Sequence, residues 1–205
     1  MRLRVAVPMM MLLLLSACGA AKESAQTPVR FRTELNSAGG LTDTLTLKAD
    51  YGDQVREFTL ACDSAVDGET CLTVISPEIA QGITATVSGE DAAVGYGETT
   101  LAVEDFSSRR ISPMAAQYLL TKAWSGGYIS ACGMDGDLEQ VTYALGYGAG
   151  QLTIETWFSG GTPLRAEISD GKQTLIFCEI SDLTLKKKAE EHGNTQTAET
   201  DLGGG

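Results

Sequence analysis

Leu152-Thr153-Ile154-Glu155-Thr156-Trp157-Phe158 runs into Ser159-Gly160-Gly161, and the chain returns as Thr162-Pro163-Leu164-Arg165-Ala166-Glu167-Ile168. Leu152, Ile154 and Phe158 fall on one side of an extended chain, and Trp157 falls on the other. Two glycines between two such runs mark a tight hairpin. The turns Tyr147-Gly148-Ala149-Gly150 and Asp170-Gly171 divide the surrounding sequence into strands at about 139–147, 150–158, 162–169 and 173–185. Short strands joined by tight turns form an antiparallel meander.

The same pattern continues towards the N-terminus. Pro28 opens a run to Leu35 in which Val29, Phe31, Thr33 and Leu35 alternate with Arg30, Arg32 and Glu34, which predicts a first strand. Asn36 to Gly40 is a turn cluster. Strands are then expected at 42–50, where Leu45, Leu47 and Ala49 share a face, and at 54–62, about 71–76, 82–88, 92–96 and 99–103. The helical exception is 111–125. Ser112 suits its N-cap and Pro113 its first turn. Met114, Tyr118, Leu119 and Trp124 form its apolar stripe, and Gly126-Gly127 ends it. A strand at about 128–133 then leads back into the meander. The expected fold is mainly β (α+β). It is a strongly curved antiparallel sheet of about eleven strands, an unclosed β-barrel, with one principal helix across the open face.

The N-terminus has a different purpose. Arg2 and Arg4 precede an apolar run from Val5 to Leu15 that is too short to span a bilayer, and Leu15-Ser16-Ala17-Cys18 follows. This resembles a bacterial lipoprotein signal with its lipobox. The resemblance implies that residues 1–17 are a signal peptide and that Cys18 is acylated and becomes the first mature residue. Residues 18–27 read as a lipidated polar tether, 28–185 as the β domain and 186–205 as a disordered tail. The expected location is the extracytoplasmic face of a cell membrane, held there by N-terminal acyl chains.

The whole chain of 205 residues carries a formal charge of −12. The leader holds two of the 15 basic residues and none of the 27 acidic ones, so the rest stands at −14. A surface this acidic argues against nucleic acid and against flat docking on anionic lipid.

Beyond the anchor, four cysteines remain: Cys62, Cys71, Cys132 and Cys178. No pair has the Cys-x-x-Cys spacing of a redox or zinc motif. In an oxidising compartment all four are disulfide candidates. Cys62 and Cys71 end and begin neighbouring strand-like runs, where a bridge would staple a hairpin. Cys132 with Cys178 is the other pairing. The alternative is buried free thiols acting as small apolar groups.

Three stretches resemble the LolA/LolB-like lipoprotein-carrier superfamily, in particular the lipid-anchored, germination-lipoprotein-like members of Gram-positive spore formers. They are Val74-Ile75-Ser76-Pro77-Glu78-Ile79-Ala80-Gln81-Gly82-Ile83, Ile111-Ser112-Pro113-Met114, and Thr156-Trp157-Phe158-Ser159-Gly160-Gly161-Thr162-Pro163-Leu164-Arg165-Ala166-Glu167-Ile168. The resemblance implies an unclosed barrel with a hydrophobic hollow that takes acyl chains. This sequence departs from the sorting carriers in showing a polar tether, not a helix, before its first strand.

The single histidine, His192, falls in the tail, which excludes a His-based triad or His-ligated metal within the domain. There is no Gly-x-Ser-x-Gly, phosphate-binding Gly-rich loop or dinucleotide fingerprint. The expectation is therefore no enzyme, no cofactor and no metal. Asp135-Gly136-Asp137-Leu138-Glu139 has oxygen ligands of the calcium type but reads as an acidic hairpin tip, and Asp63 to Glu69 reads likewise. Lys186-Lys187-Lys188 reads as a solvated strand end.

Met114, Leu119 and Trp124 are the candidate ligand-binding residues if the helix lids a lipid hollow. The alternative is plain packing of helix on sheet. Trp157, on the convex side, is a candidate partner contact. Two functions fit these features. One is a carrier-like protein that binds a lipid, acylated or other apolar ligand in its concave face. The other is a non-enzymatic module that binds or positions another cell-envelope protein.

Overall fold

The computed structural model describes residues 26–187, except 51, 53, 90, 104–111 and 172. The signal peptide, Cys18, Lys188 and His192 lie outside the described residues.

Eleven strands form one sheet. They are β1 (Gly40–Asp50), β2 (Val55–Ala65), β3 (Thr70–Ser76), β4 (Thr84–Ser88), β5 (Asp91–Tyr96), β6 (Thr99–Val103), β7 (Tyr128–Asp135), β8 (Leu138–Leu145), β9 (Leu152–Ser159), β10 (Thr162–Ser169) and β11 (Thr174–Leu185). Their order is β6-β5-β4-β3-β2-β1-β11-β10-β9-β8-β7. Two meanders are thus joined where β1 pairs antiparallel with β11. The hairpin that opens the sequence reading is the β9–β10 turn. Gly160 at φ +57° and Gly161 at φ +90° supply the two left-handed residues that a two-residue turn needs.

β6 and β7 follow one another in sequence but lie at opposite edges of the sheet. The chain between them must cross the open side, and it carries a helix, α2 (Ala116–Gly126). α2 touches both β2 and β8. These strands are separated by four others in the sheet order, so a single helix reaches both only because the sheet curls. The expected architecture is met: a mainly β, unclosed, eleven-stranded barrel whose principal helix, Ala116–Gly126, falls on the expected 111–125 stretch and ends one residue beyond it.

The first expected strand is corrected. Residues Gln26–Ala38 form a helix, α1. Pro28, Phe31 and Leu35 are buried and fall at i, i+3 and i+7, one helical stripe. Val29, which alternation placed beside Phe31, is 54% exposed. Phe31 and Leu35 satisfy both periods, so so short a run cannot choose between them. Three further features favour the helix. Pro28 sits in the first turn, where its missing N–H costs nothing. Arg30 and Glu34 pair at i, i+4. Gly39, at φ +76°, closes the end with its N–H on the Leu35 carbonyl at 2.9 Å. A helix therefore does precede the first strand, and it takes in residues 26 and 27, which the sequence assigns to the tether.

The hairpin staple is also corrected. In the register Cys62 faces Leu72 and Cys71 faces Asp63. Adjacent residues point to opposite faces of a strand, so Cys62 is buried on the concave side and Cys71 is exposed on the convex side. Cys178, Ala166, Thr156, Val141 and Cys132 form one row across β11 to β7. That places Cys178 and Cys132 four strands apart, roughly 19 Å, against the roughly 7 Å limit between bridged Cα atoms. All four are free thiols. Thiol titration of denatured, unreduced protein is expected to find Cys62, Cys71, Cys132 and Cys178 all reactive. Two reactive thiols would mean that this register is wrong.

Candidate functional site: a groove at the rim of the barrel

α2 begins where the Ser112 hydroxyl accepts the Met114 N–H at 3.3 Å, with Pro113 at the first position of a 3-10 turn. It then buries more than one face. Ala116, Gln117, Leu119, Leu120, Thr121, Ala123 and Trp124 are all buried. Trp124 has 0% exposure. Its indole N–H donates to Thr156 Oγ1 at 3.0 Å, and Phe31 meets it edge-on with ring centres 5.7 Å apart. Phe31 in turn stands edge-on to Phe158 at 5.6 Å. α1 and α2 therefore fill the concave side as core, and α2 is a plug. Of the three expected ligand-binding residues, Trp124 and Leu119 are core, and Met114 sits half-buried at its margin. The structure does not bring the three together at an opening.

α1 also clamps the end of α2. Arg32 donates to the carbonyls of Trp124 at 3.0 Å, Ala123 at 3.4 Å and Gly127. Asn36 donates to the Ser125 carbonyl at 3.1 Å. These are the carbonyls a helix leaves unpaired at its C-terminus, and a cation is favoured there. At residue 127 a Cβ would approach the Ala123 carbonyl oxygen to 2.7 Å, so the tight exit needs glycine.

Beside this clamp lies a groove made of two open clefts. One, of about 810 Å³, is lined by Val66, Tyr118, Lys122 and Leu145. The other, of about 610 Å³, is lined by Arg32, Tyr128, Ile129 and Tyr147. The two share Gly126, Leu145 and Gly146. Tyr128 is 73% exposed and Tyr147 98% exposed. Lys122 lies 5.5 Å from the centre of the Tyr118 ring and donates to the Val66 carbonyl at 3.2 Å. The surface is thus aromatic and aliphatic in part, with two cations held to neutral carbonyls and Asp67 and Asn36 on the wall of the first cleft. The sequence assigns none of the groove residues to a binding site: Tyr118 reads as part of the helical stripe, Arg32 as part of a strand, and Asn36, Gly126, Gly127 and Tyr147 as turn or helix-end residues. They come from α1, α2, strands β7 and β8 and the turns beside them, so no local pattern announces them.

The titratable interior holds its groups neutral. Burial pushes the Cys62 and Cys178 thiols up, and the Asp43 carboxyl beside them adds to the effect. Burial also pushes up the Tyr143 phenol and, with help from Glu139, the Cys132 thiol. Such thiols are poor nucleophiles. Among the described residues no group of three or more His, Cys, Asp or Glu side chains could hold a metal ion.

No protein-family model and no curated protein matches the sequence. Solved structures do match. The chain is similar to LolA-superfamily proteins. One, from Nitrosomonas europaea, aligns at a TM-score of 0.49 and 12% identity over 78% of this chain and 94% of its own. A DUF1329 family protein from Desulfovibrio piger aligns at 0.47 and 13%, over 81% of this chain and 93% of its own. A putative outer membrane lipoprotein-sorting protein domain from Vibrio parahaemolyticus aligns at 0.45 and 12%, over 83% and 95%. The likeness is one of fold, and the function of this chain is argued below from its own residues.

On the convex side of the sheet, Trp157 is only 5% exposed. The Arg165 guanidinium lies 4.4 Å above its ring, and Asp135 accepts from both the indole N–H at 2.8 Å and Arg165 at 2.9 Å. Trp157 lies on the face that alternation assigns it, and its own neighbours cover it. Asp135 thereby takes part in a β7–β8 hairpin whose turn passes through Gly136 at φ +63°. Asp63 pairs with Lys186, which ties the chain after β11 back to β2.

Proposed function

We propose that this chain is a non-catalytic, LolA-like binding module, held at the outer face of a cell membrane by acyl chains on Cys18, and that it engages another cell-envelope protein through the rim groove. One observation carries this choice over a carrier that encloses its ligand. The concave interior is occupied by the protein's own core, with Trp124 at 0% exposure. Apolar and aromatic surface open to a partner lies at the rim, where Tyr128, Tyr147 and Leu145 stand. Tyrosines of this kind are rigid, amphipathic anchors and recur as interface hot spots. The high negative charge keeps the domain off its own membrane surface and leaves the groove accessible.

Replacing Tyr128 and Tyr147 together with Ala is expected to weaken capture of the partner about tenfold or more in cross-linked envelope preparations. The melting temperature should stay nearly unchanged, because exposed positions usually tolerate substitution within about 0.5 kcal/mol. Unaltered capture would remove the groove from the binding surface.

A second reading is favoured by the wall of Val66, Tyr118 and Leu145 around the 810 Å³ cleft, which suits a single acyl chain. Mass spectrometry of natively purified protein separates the two. Stoichiometric acyl species that leave on delipidation would establish the second reading. An empty protein that retains its partner would establish the first.

A further inference from the structure

Asp43 lies on β1 on the same side as Leu41, Leu45 and Leu47, opposite Cys62 of β2 and at the bulge where β1 meets β11. It is only 5% exposed. Gln117 of α2 packs beside it and is 0% exposed. Neither carboxyl oxygen of Asp43 has a hydrogen-bond partner, and neither does Gln117 Oε1. One N–H of the Gln117 amide is directed to Thr121 Oγ1 at 3.5 Å. Two buried acceptors therefore share one interface between helix and sheet without a proton between them. A carboxylic acid O–H supplies that proton, because a protonated Asp is a donor as well as an acceptor.

We propose that Asp43 is a protonation latch: its acid form ties α2 to the sheet through the Gln117 carbonyl oxygen, and loss of its proton to solvent loosens that helix. The surroundings offer no other way to settle a charge there. The titratable groups that face Asp43 are the Cys62 thiol on β2 and the Cys178 thiol on β11, and both are themselves driven to the neutral form. Lys122, the charged residue of α2, is directed to the Val66 carbonyl. Turning the Gln117 amide over would give an ionised Asp43 a neutral donor, which does not offset the desolvation of a buried charge. Burial accordingly pushes the carboxyl up from 3.8 to about 7, against smaller opposing contributions from Gln117 and Cys62.

The direction of the pH dependence follows. The folded chain keeps the Asp43 proton where the unfolded chain has lost it. The latch is at full strength below about pH 4 and is lost progressively as pH rises to about 7. Above that both states are ionised and nothing more is lost. Within the window the unfolding equilibrium constant should rise by about tenfold per pH unit from this group alone. The inference does not depend on what the groove binds.

The test uses the full chain with 13C-labelled aspartate. The Asp43 carboxyl resonance is expected to titrate near neutrality, and α2 amides are expected to lose hydrogen-exchange protection from pH 5 to 8, after correction for the intrinsic exchange rate. Amides of the β9–β10 hairpin should hold theirs. In Asp43→Asn, whose amide can donate to Gln117 at every pH, α2 protection should no longer depend on pH. An Asp43 that titrates below pH 5, or α2 protection that is flat in the wild type, overturns the latch. So does the same pH dependence in the Asn variant. Should that variant not fold, the wild-type titration and exchange decide alone.

Discussion

Replacing Cys18 with Ala is expected to abolish acylation and to move the protein out of the processed, membrane-bound pool. It should be recovered either as released soluble domain or as unprocessed precursor. On the proposed anchoring through Cys18 the effect should be close to complete. No described helix is long and apolar enough to cross a membrane. The chain beyond the leader carries a formal charge of −14, which repels anionic headgroups. Each buried methylene of an acyl chain is worth roughly 0.8 kcal/mol, so two chains hold firmly and none does not hold at all. Fractionation together with the mass of the N-terminal peptide reads the result. An Ala variant that stays with the membrane and is processed like the wild type would show that the lipobox reading is mistaken.

Truncating Trp124 to Ala should have the largest effect on stability. A buried Trp→Ala change costs about 3–5 kcal/mol through lost burial and the cavity left behind. The substitution also leaves Thr156 Oγ1 without the indole donor that reaches it at 3.0 Å and removes the edge contact with Phe31. For a domain of this size that corresponds to a fall of roughly 10 °C in melting temperature. Trp124→Phe should recover part of the loss, since it refills volume but not the hydrogen bond. Thermal unfolding of the three proteins, followed beside titration with a fluorescent fatty acid, distinguishes a core plug from a ligand wall. A Trp124→Ala protein that melts like the wild type but loses the probe would place the ring in a ligand site and would favour the carrier reading.

The sheet was legible in the sequence because alternation is local. Each strand of the second meander repeats apolar residues at every second position between turns rich in glycine, as Leu152, Ile154 and Phe158 do before Gly160-Gly161. α2 was legible because Ser112-Pro113 and Gly126-Gly127 bracket a run with helical spacing. α1 was not, because Phe31 and Leu35 fit a strand and a helix alike. What separates the two is whether Val29 or Pro28 is buried, and that depends on the sheet beneath.

Asp43 was within reach. It stands two residues before Leu45 in an alternating strand, so its side chain had to point into the core, although the alternation said nothing of Gln117 arriving from 74 positions further along the chain. The groove was out of reach, since Arg32, Tyr118, Tyr128 and Tyr147 converge only when α1 closes over the end of α2.

The sequence by itself determined the strands, their turns and the plug helix, since each follows from the side-chain period and backbone freedom of a short segment. Only the tertiary structure decided which cysteines can meet, that Trp124 is sealed, and that Asp43 lacks a partner. Each of these depends on which face of one element meets which face of another. That choice is made when the two meanders pair through β1 and β11, and the curled sheet then leaves α1 and α2 nowhere to bury their apolar sides but its concave face.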